Sequence, residues 1–197
     1  MSDTENKIKN ATVDLLLKEG NFGFTLSDVA EKSRTSRTVI HYYFRSRENL
    51  LSVVTKDILS DLVKPRYDTL ISKDHLEIKI LKFLEKSDNI CEIYPYIDVF
   101  LMVRYSTSED LQIFFQDILG SFKNLISEVQ NFIDCKELNY PDAQFFLSDL
   151  FSLSSFSYIF SNFSCTLGIS SEHPSIIHDC KNKNGRILDI LFKQNNV

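Results

Sequence analysis

Apolar residues recur at three- and four-residue spacing along most of the chain, and the polar gaps between the runs divide it into a succession of helices. Ile8, Ala11, Val13, Leu15 and Leu16 give a mainly one-sided stripe from about residue 4 to Lys18, and Gly20 supplies a stop just beyond it. Gly23 and Phe24 lead into Thr25, whose hydroxyl is placed to cap a second helix, Leu26 to about Ser33, with Leu26, Val29 and Ala30 turned inward. Asp28, three residues after Thr25, completes a capping-box pattern and suits the positive end of the helix dipole. After a short turn at Arg34 and Thr35, Ser36 caps a third helix through RTVIHYYF, and Ser46 caps a fourth that begins RENLLSVV. Three short helices, the last two joined by a tight turn, predict a helix-turn-helix arrangement.

The same periodicity continues to the C-terminus. The fourth helix is expected to run from Arg47 to about Val63 and to end before Pro65, and a fifth spans roughly His75 to Ile90 with Leu76, Ile80, Phe83 and Leu84 on one side. A sixth covers about Tyr96 to Tyr105. The segment SEDLQIFFQDILGSFKNLISEVQNFI repeats Leu111, Phe114, Ile118, Phe122, Leu125, Val129 and Phe132, which predicts one long seventh helix. Beyond Pro141, Phe146, Leu150, Leu153, Phe156, Phe160 and Phe163 recur every three or four residues with serines in many of the gaps. Partial alternation over 151–163 would also suit a strand, but the length without glycine or proline argues for helix. A last helix, Ser175 to about Phe192, presents Ile176, Ile177, Cys180, Ile187, Leu188 and Leu191. The expected fold class is all-α.

Composition agrees with this and narrows the setting. The 197 residues are 43% hydrophobic and 25% charged, ordinary globular usage, and five glycines and four prolines leave few breakers. No stretch approaches an uninterrupted membrane span, and the polar MSDTENKIKN lacks the apolar run of a signal peptide, so no membrane partner and a cytoplasmic location are expected. Cys91, Cys135, Cys165 and Cys180 form no C-x-x-C pair and no metal-ligand rhythm, which favours reduced, mostly buried thiols. Charge is uneven: residues 1–60 carry nine Lys or Arg against eight Asp or Glu, and residues 61–197 thirteen against nineteen, within a total of -5. Five cations, Lys32, Arg34, Arg37, Arg45 and Arg47, lie in a stretch that holds no acid. A basic head on an acidic body is suited to bind a polyanion while the rest of the molecule limits non-specific attachment.

The order of Gly20, Gly23, Thr25, Val29, Ala30, Ser36, Ile40, Tyr42, Phe44, Ser46, Glu48 and Leu50 closely resembles the N-terminal DNA-binding domain of TetR-type transcriptional regulators. The resemblance covers roughly residues 4–55, about a quarter of the chain. It implies a DNA-binding helix-turn-helix domain at 1–46 and a helical effector-binding and dimerisation domain at 47–197. Ser36, Arg37 and Thr38 stand at the start of the recognition helix, where backbone N–H groups meet phosphate. Arg37 is suited to a bidentate contact with guanine, Thr38 and Val39 to a thymine methyl, and His41, Tyr42 and Tyr43 follow on the next turn within reach of bases or phosphates. Ile40 and Phe44, four apart, should point to the core. Thr25 and Arg47 resemble the family's phosphate contacts. Two positions depart from the pattern: Arg34 stands where the family has glycine, so a left-handed backbone there would cost about 1 kcal/mol, and His41 stands where it has tyrosine, which affects base preference.

For the body, the resemblance implies a homodimer through the last two helices, with recognition helices about one DNA turn, roughly 34 Å, apart on a double-stranded operator. It also implies a small-molecule effector. Tyr96, Phe100, Arg104, Phe114, Phe115, Phe146, Tyr158 and Asn162 are the candidates to line its pocket, aromatic walls with a few polar handles. Arg104 follows four apolar residues and, if buried, needs an anionic ligand or a carboxylate such as Asp98 or Asp149. His75, His173 and His178 show neither metal spacing nor a base beside a nucleophile, and no glycine-rich phosphate loop occurs, so no catalytic residue, metal or cofactor is expected. The reading is a ligand-released homodimeric repressor, with a DNA-binding activator, or a regulator that requires its ligand, as the alternative. Effector and operator do not follow from the residues.

Overall fold

The three caps read from the sequence form as hydrogen bonds, and they set the boundaries of the first helices. The computed structural model describes residues 3–166 and 180–192, and every regular element within them is helical. Helix α1 is Asp3–Leu17, α2 Leu26–Ser33, α3 Arg37–Phe44 and α4 Arg47–Ile58. Thr25 accepts from the Asp28 N–H while the Asp28 carboxylate takes the Thr25 N–H at 2.7 Å, closing the capping box. Ser36 accepts from Val39 and Ser46 from Asn49 at the starts of α3 and α4. Each cap gives a partner to an N–H that the helix itself leaves unpaired.

The helical path begun by α4 does not stop before Pro65. A π-helical turn, Leu59–Val63, follows α4 and leads into α5, Lys64–Asp68, then into a 3-10 turn, Thr69–Ile71. The Lys64 N–H reaches back to the Leu59 carbonyl. Proline breaks an α-helix by lacking an N–H and by crowding the carbonyl four residues earlier, and the wider π turn just ahead of it eases both constraints. Next come α6, Leu76–Ile93, and α7, Ile97–Tyr105. The long seventh helix of the sequence reading is two, α8 Glu109–Ser121 and α9 Lys123–Asp134, broken at Phe122, whose φ and ψ are -82° and 4°. The Gly120–Ser121 pair weakens the helix there, and burial of Phe122 fixes the kink. Helix α10 is Ala143–Thr166 and α11 Cys180–Phe192; the expected start of the last helix, 175–179, lies outside the described residues.

Packing divides the chain into two units. One comprises residues 1–64 and 93–114, the other 65–92 and 115–197. The core of the first is Ile8, Leu15, Leu16, Phe24, Val29, Ile40, Phe44, Leu50 and Val54, all buried. Its last segment joins that core closely: the Tyr96 N–H donates to the Leu17 carbonyl at 3.0 Å, and the Tyr96 ring lies where a Cβ on Gly20 would come within 2.9 Å. Gly20 also has φ +66°, so both backbone conformation and space require glycine there. Asp110 accepts from Ser52 at 3.0 Å and pairs with Lys56 at 3.3 Å, fastening the start of α8 to α4.

The second unit is built on rings. Tyr67 sits among Phe83, Phe115, Phe122 and Phe151 with centroid separations of 5.7, 6.0, 6.1 and 5.8 Å, and the buried Arg66 guanidinium lies 5.1 Å over Tyr67 and 5.5 Å over Phe83. Helix α10 packs on α9 and α11. A buried polar network joins three helices: the Asp88 carboxylate on α6 accepts from Tyr158 of α10 at 2.6 Å, and from Lys183 at 2.9 Å and Asn184 at 2.7 Å on α11. Cys91 is buried as expected, whereas Cys135, just after α9, is exposed. Cys165 and Cys180 have no described side chains.

Candidate nucleic-acid interface

Helix α3 is held by its inner face and offers its outer one. Ile40 and Phe44 are buried, while Arg37, Thr38, His41 and Tyr42 are exposed, Tyr42 by 70%. Positions 37, 38, 41 and 42 recur with the helical period, so these four side chains form one outward strip. Val39 and Tyr43 are half-buried at its margin, and the Tyr42 and Tyr43 rings meet edge to face at 5.3 Å. Thr25 and Ser36 are exposed at the N-termini of α2 and α3, where unpaired N–H groups and the helix dipole favour an anion.

The turn between α2 and α3 is left-handed. Arg34 has φ 54° and ψ 41°, and its N–H caps α2 on the Ala30 and Glu31 carbonyls. The family's glycine would hold this conformation without the Cβ strain. Arg34→Gly is therefore expected to raise the stability of this unit by up to about 1 kcal/mol, read as a higher urea midpoint at unchanged slope. A second strained position follows α3: Arg45 has φ 65° and ψ -46°, and the Ser46 N–H reaches the Phe44 carbonyl at 2.7 Å, a tight γ-turn that sets the start of α4.

The five cations of the segment have different surroundings. Lys32 pairs with Glu19. Arg47 donates from Nε to the Phe24 carbonyl at 2.6 Å and from Nη2 to the Phe22 carbonyl at 2.9 Å, lies 4.6 Å over the Phe24 ring, and has Nη1 at 3.9 Å from Glu48. The guanidinium that the sequence offered as a phosphate anchor thus ties α4 to the loop ahead of α2. Arg34, Arg37 and Arg45 are exposed and make no ion pair among the described residues. Arg34 and Arg45 were not singled out as contacts from the sequence, although the acid-free run that holds them was the available signal.

The eight residues expected around an effector divide between the two units. Tyr96, Phe100, Arg104 and Phe114 belong to the first and Phe115, Phe146, Tyr158 and Asn162 to the second. Tyr96 covers Gly20, and Phe100 is buried against Phe22 at 6.2 Å. Arg104 is half-buried and donates to the Thr107 hydroxyl at 3.3 Å. Phe115 packs on Tyr67, Phe146 is buried edge-on to Tyr140 at 5.2 Å, Tyr158 binds Asp88, and the Asn162 side chain lies outside the described residues. Among the described residues no group of three or more His, Cys, Asp or Glu could hold a metal ion, and no helix is long and apolar enough to cross a membrane.

Residues 8–54 match the family described as bacterial regulatory proteins, tetR family. Among curated proteins none matches the chain. Solved structures share the fold over nearly the whole length. A TetR family transcription regulator from Marinobacter aquaeolei VT8 aligns at a TM-score of 0.64 and 12% identity, covering 96% of this chain and 95% of its own. A TetR transcription regulator from Haloarcula marismortui aligns at 0.62 and 16%, covering 98% and 100%. The transcriptional regulator FadR from Bacillus subtilis, solved in complex with stearoyl-CoA, aligns at 0.58 and 13%, covering 93% and 97%.

Proposed function

We propose, from the match of residues 8–54 to the tetR family of bacterial regulatory proteins, that the chain acts as a homodimeric, sequence-specific DNA-binding repressor released by a small-molecule effector. The observation that carries the reading is the outward strip Arg37, Thr38, His41 and Tyr42 on a capped helix, flanked by the exposed cations Arg34 and Arg45. Arg37 reads guanine, Thr38 and Val39 a thymine methyl, and His41, Tyr42 and Tyr43 the neighbouring bases or phosphates, with Thr25 and Ser36 on the backbone. Arg34 and Arg45 join them as phosphate contacts.

In this reading residues 1–46 bind DNA, and residues 47–197 bind the effector and dimerise through α10 and α11. Phe145 and Ile190, 58% and 43% exposed on those helices, supply apolar surface for a second copy. Segment 93–114, fastened to Leu17 of the head and to Ser52 and Lys56 of α4, carries the effector's influence to the recognition helices. That FadR, which shares the fold, was solved in complex with stearoyl-CoA supports a small-molecule effector here. The molecule has no catalytic role in this account.

Titration of the purified protein against genomic fragments, including the DNA flanking its own gene, at two salt concentrations is the test. Selective binding that survives higher salt and leaves a palindromic footprint is the expected result; weak, salt-sensitive binding to every fragment would sink it. On the footprinted operator, Arg37→Ala is expected to weaken binding by about 1–3 kcal/mol and to relax preference at one position per half-site, measured with a set of single-base operator variants.

A further inference from the structure

The left-handed turn between α2 and α3 has a second support besides its backbone bonds. Arg34 holds φ 54° and ψ 41°, and a hydroxyl stands on either side of it in the chain, Ser33 before and Thr35 after. The backbone makes a Schellman closure: the Thr35 N–H donates to the Ala30 carbonyl at 3.0 Å and the Arg34 N–H to the Glu31 carbonyl at 3.1 Å. That closure is most often built around glycine, whose missing Cβ removes the cost of the left-handed conformation. Here the residue is arginine, so the backbone bonds alone oppose a conformational preference.

The flanking side chains close over the same turn. Ser33 is 9% exposed, and its Oγ lies 2.6 Å from the Val29 carbonyl and 2.8 Å from Thr35 Oγ1. A hydroxyl has a single proton and a carbonyl only accepts, so the Ser33 proton is given to Val29. The remaining contact is then the Thr35 hydroxyl donating to Ser33. The result is a relay with one direction, Thr35 to Ser33 to Val29, which bridges Arg34 and returns to the last turn of α2. Its geometry also turns the Thr35 proton inward, away from any phosphate. We infer that Ser33 and Thr35 are positioning residues for DNA recognition: their relay holds Arg34 left-handed, and with it the direction in which α3 leaves α2. Without the relay an arginine at this position drifts toward right-handed backbone and carries Ser36 and Arg37 with it, whereas a glycine has no such tendency. The consequence rests on the DNA-binding reading, while the relay itself is a property of the free protein.

Two readouts on the full chain test it: hydrogen exchange of the amides of residues 34 and 35 without DNA, and affinity for the footprinted operator against an unrelated duplex at the same salt. Thr35→Val keeps the shape of the side chain and removes the donor. Relative to the amides of α1, it should lower protection of both turn amides by about tenfold. Operator affinity should fall by about fivefold while affinity for the unrelated duplex stays within about twofold, because every cation is retained. Ser33→Ala, which removes the acceptor, should do the same, and Thr35→Ser should match the wild type on both readouts. In an Arg34→Gly background the effect of Thr35→Val on each should shrink to about twofold or less, since the turn then needs no clasp. Unchanged amide protection in both Thr35→Val and Ser33→Ala overturns the proposal. So does an equal loss in the glycine background, or wild-type discrimination in variants whose turn has loosened. An equal loss of affinity for both duplexes also overturns it, because Thr35 would then touch phosphate itself. If the wild-type chain leaves no footprint, the regulatory reading fails on its own, and the exchange series still decides whether the relay holds the turn.

Discussion

Replacing Asp88 with alanine is expected to lower stability by about 3–5 kcal/mol, which would be a large part of the total for a domain of this size. Asp88 is 5% exposed and receives the Tyr158 hydroxyl, the Lys183 ammonium and the Asn184 amide, so its loss leaves three donors without an acceptor. Lys183 is the costly one. Its side chain is 15% exposed and its Nζ lies 4.1 Å over the Tyr158 ring, so the charge would remain largely shielded from water with only the ring face to stabilise it. Asp88→Asn keeps an oxygen acceptor and should cost less, and adding Lys183→Met to Asp88→Ala should recover part of the loss. A urea midpoint series on Asp88→Ala, Lys183→Met and the double variant, with slopes compared, checks the sign and size of the coupling. Additive effects would mean that the pair does not act as a unit.

That network shows which parts of the structure the residues disclosed. The caps at Thr25, Ser36 and Ser46 were legible because capping is local: the donor and acceptor lie three residues apart. Asp88, in contrast, lies in KSDNI and reads as one more surface charge, since its partners are 70, 95 and 96 residues away and no periodicity reports them. Two misplaced boundaries have a common origin. At Pro65 a local rule predicted an end, but the helical path continues by widening into a π turn. At Phe122 the apolar rhythm runs on unbroken while the backbone turns, because a buried ring keeps its place in the stripe on either side of a kink.

The basic segment was legible as a whole and not in its parts. That cations gather between 32 and 47 is a matter of counting, and that α3 turns Ile40 and Phe44 inward follows from spacing. Which of these cations already have partners within the protein depends on tertiary contacts. Lys32 is taken up by Glu19 thirteen residues away, and Arg47 by carbonyls 23 and 25 residues before it. What remains outward is Arg34, Arg37 and Arg45, and two of these sit at left-handed or strained backbone positions where the chain turns. Both turns adjoin α3, so in the proposed DNA-binding role Arg34 and Arg45 would flank the helix that reads the bases.

Arg47→Ala separates a structural cation from a phosphate contact. As a structural residue, Arg47 satisfies the Phe22 and Phe24 carbonyls and covers the Phe24 ring, which is itself fully buried. Removing it leaves two carbonyl oxygens short of a charged donor, and the expected loss of stability is about 2–4 kcal/mol, seen as a lower urea midpoint. Arg47→Lys should restore little, because an ammonium cannot reproduce the fork that spans both carbonyls. As a phosphate contact, the same residue would instead reduce affinity for every DNA sequence alike and lower the salt slope by about 1, with stability nearly unchanged. Measured on one protein preparation below its unfolding transition, the two readouts are independent. A fall in the midpoint with the salt slope of operator binding retained is the expected result. An unchanged midpoint with a reduced slope would show that the carbonyl contacts yield to phosphate when DNA binds, and the anchoring of α4 would then have to come from Ser46 and the packing of Leu50 and Val54 alone.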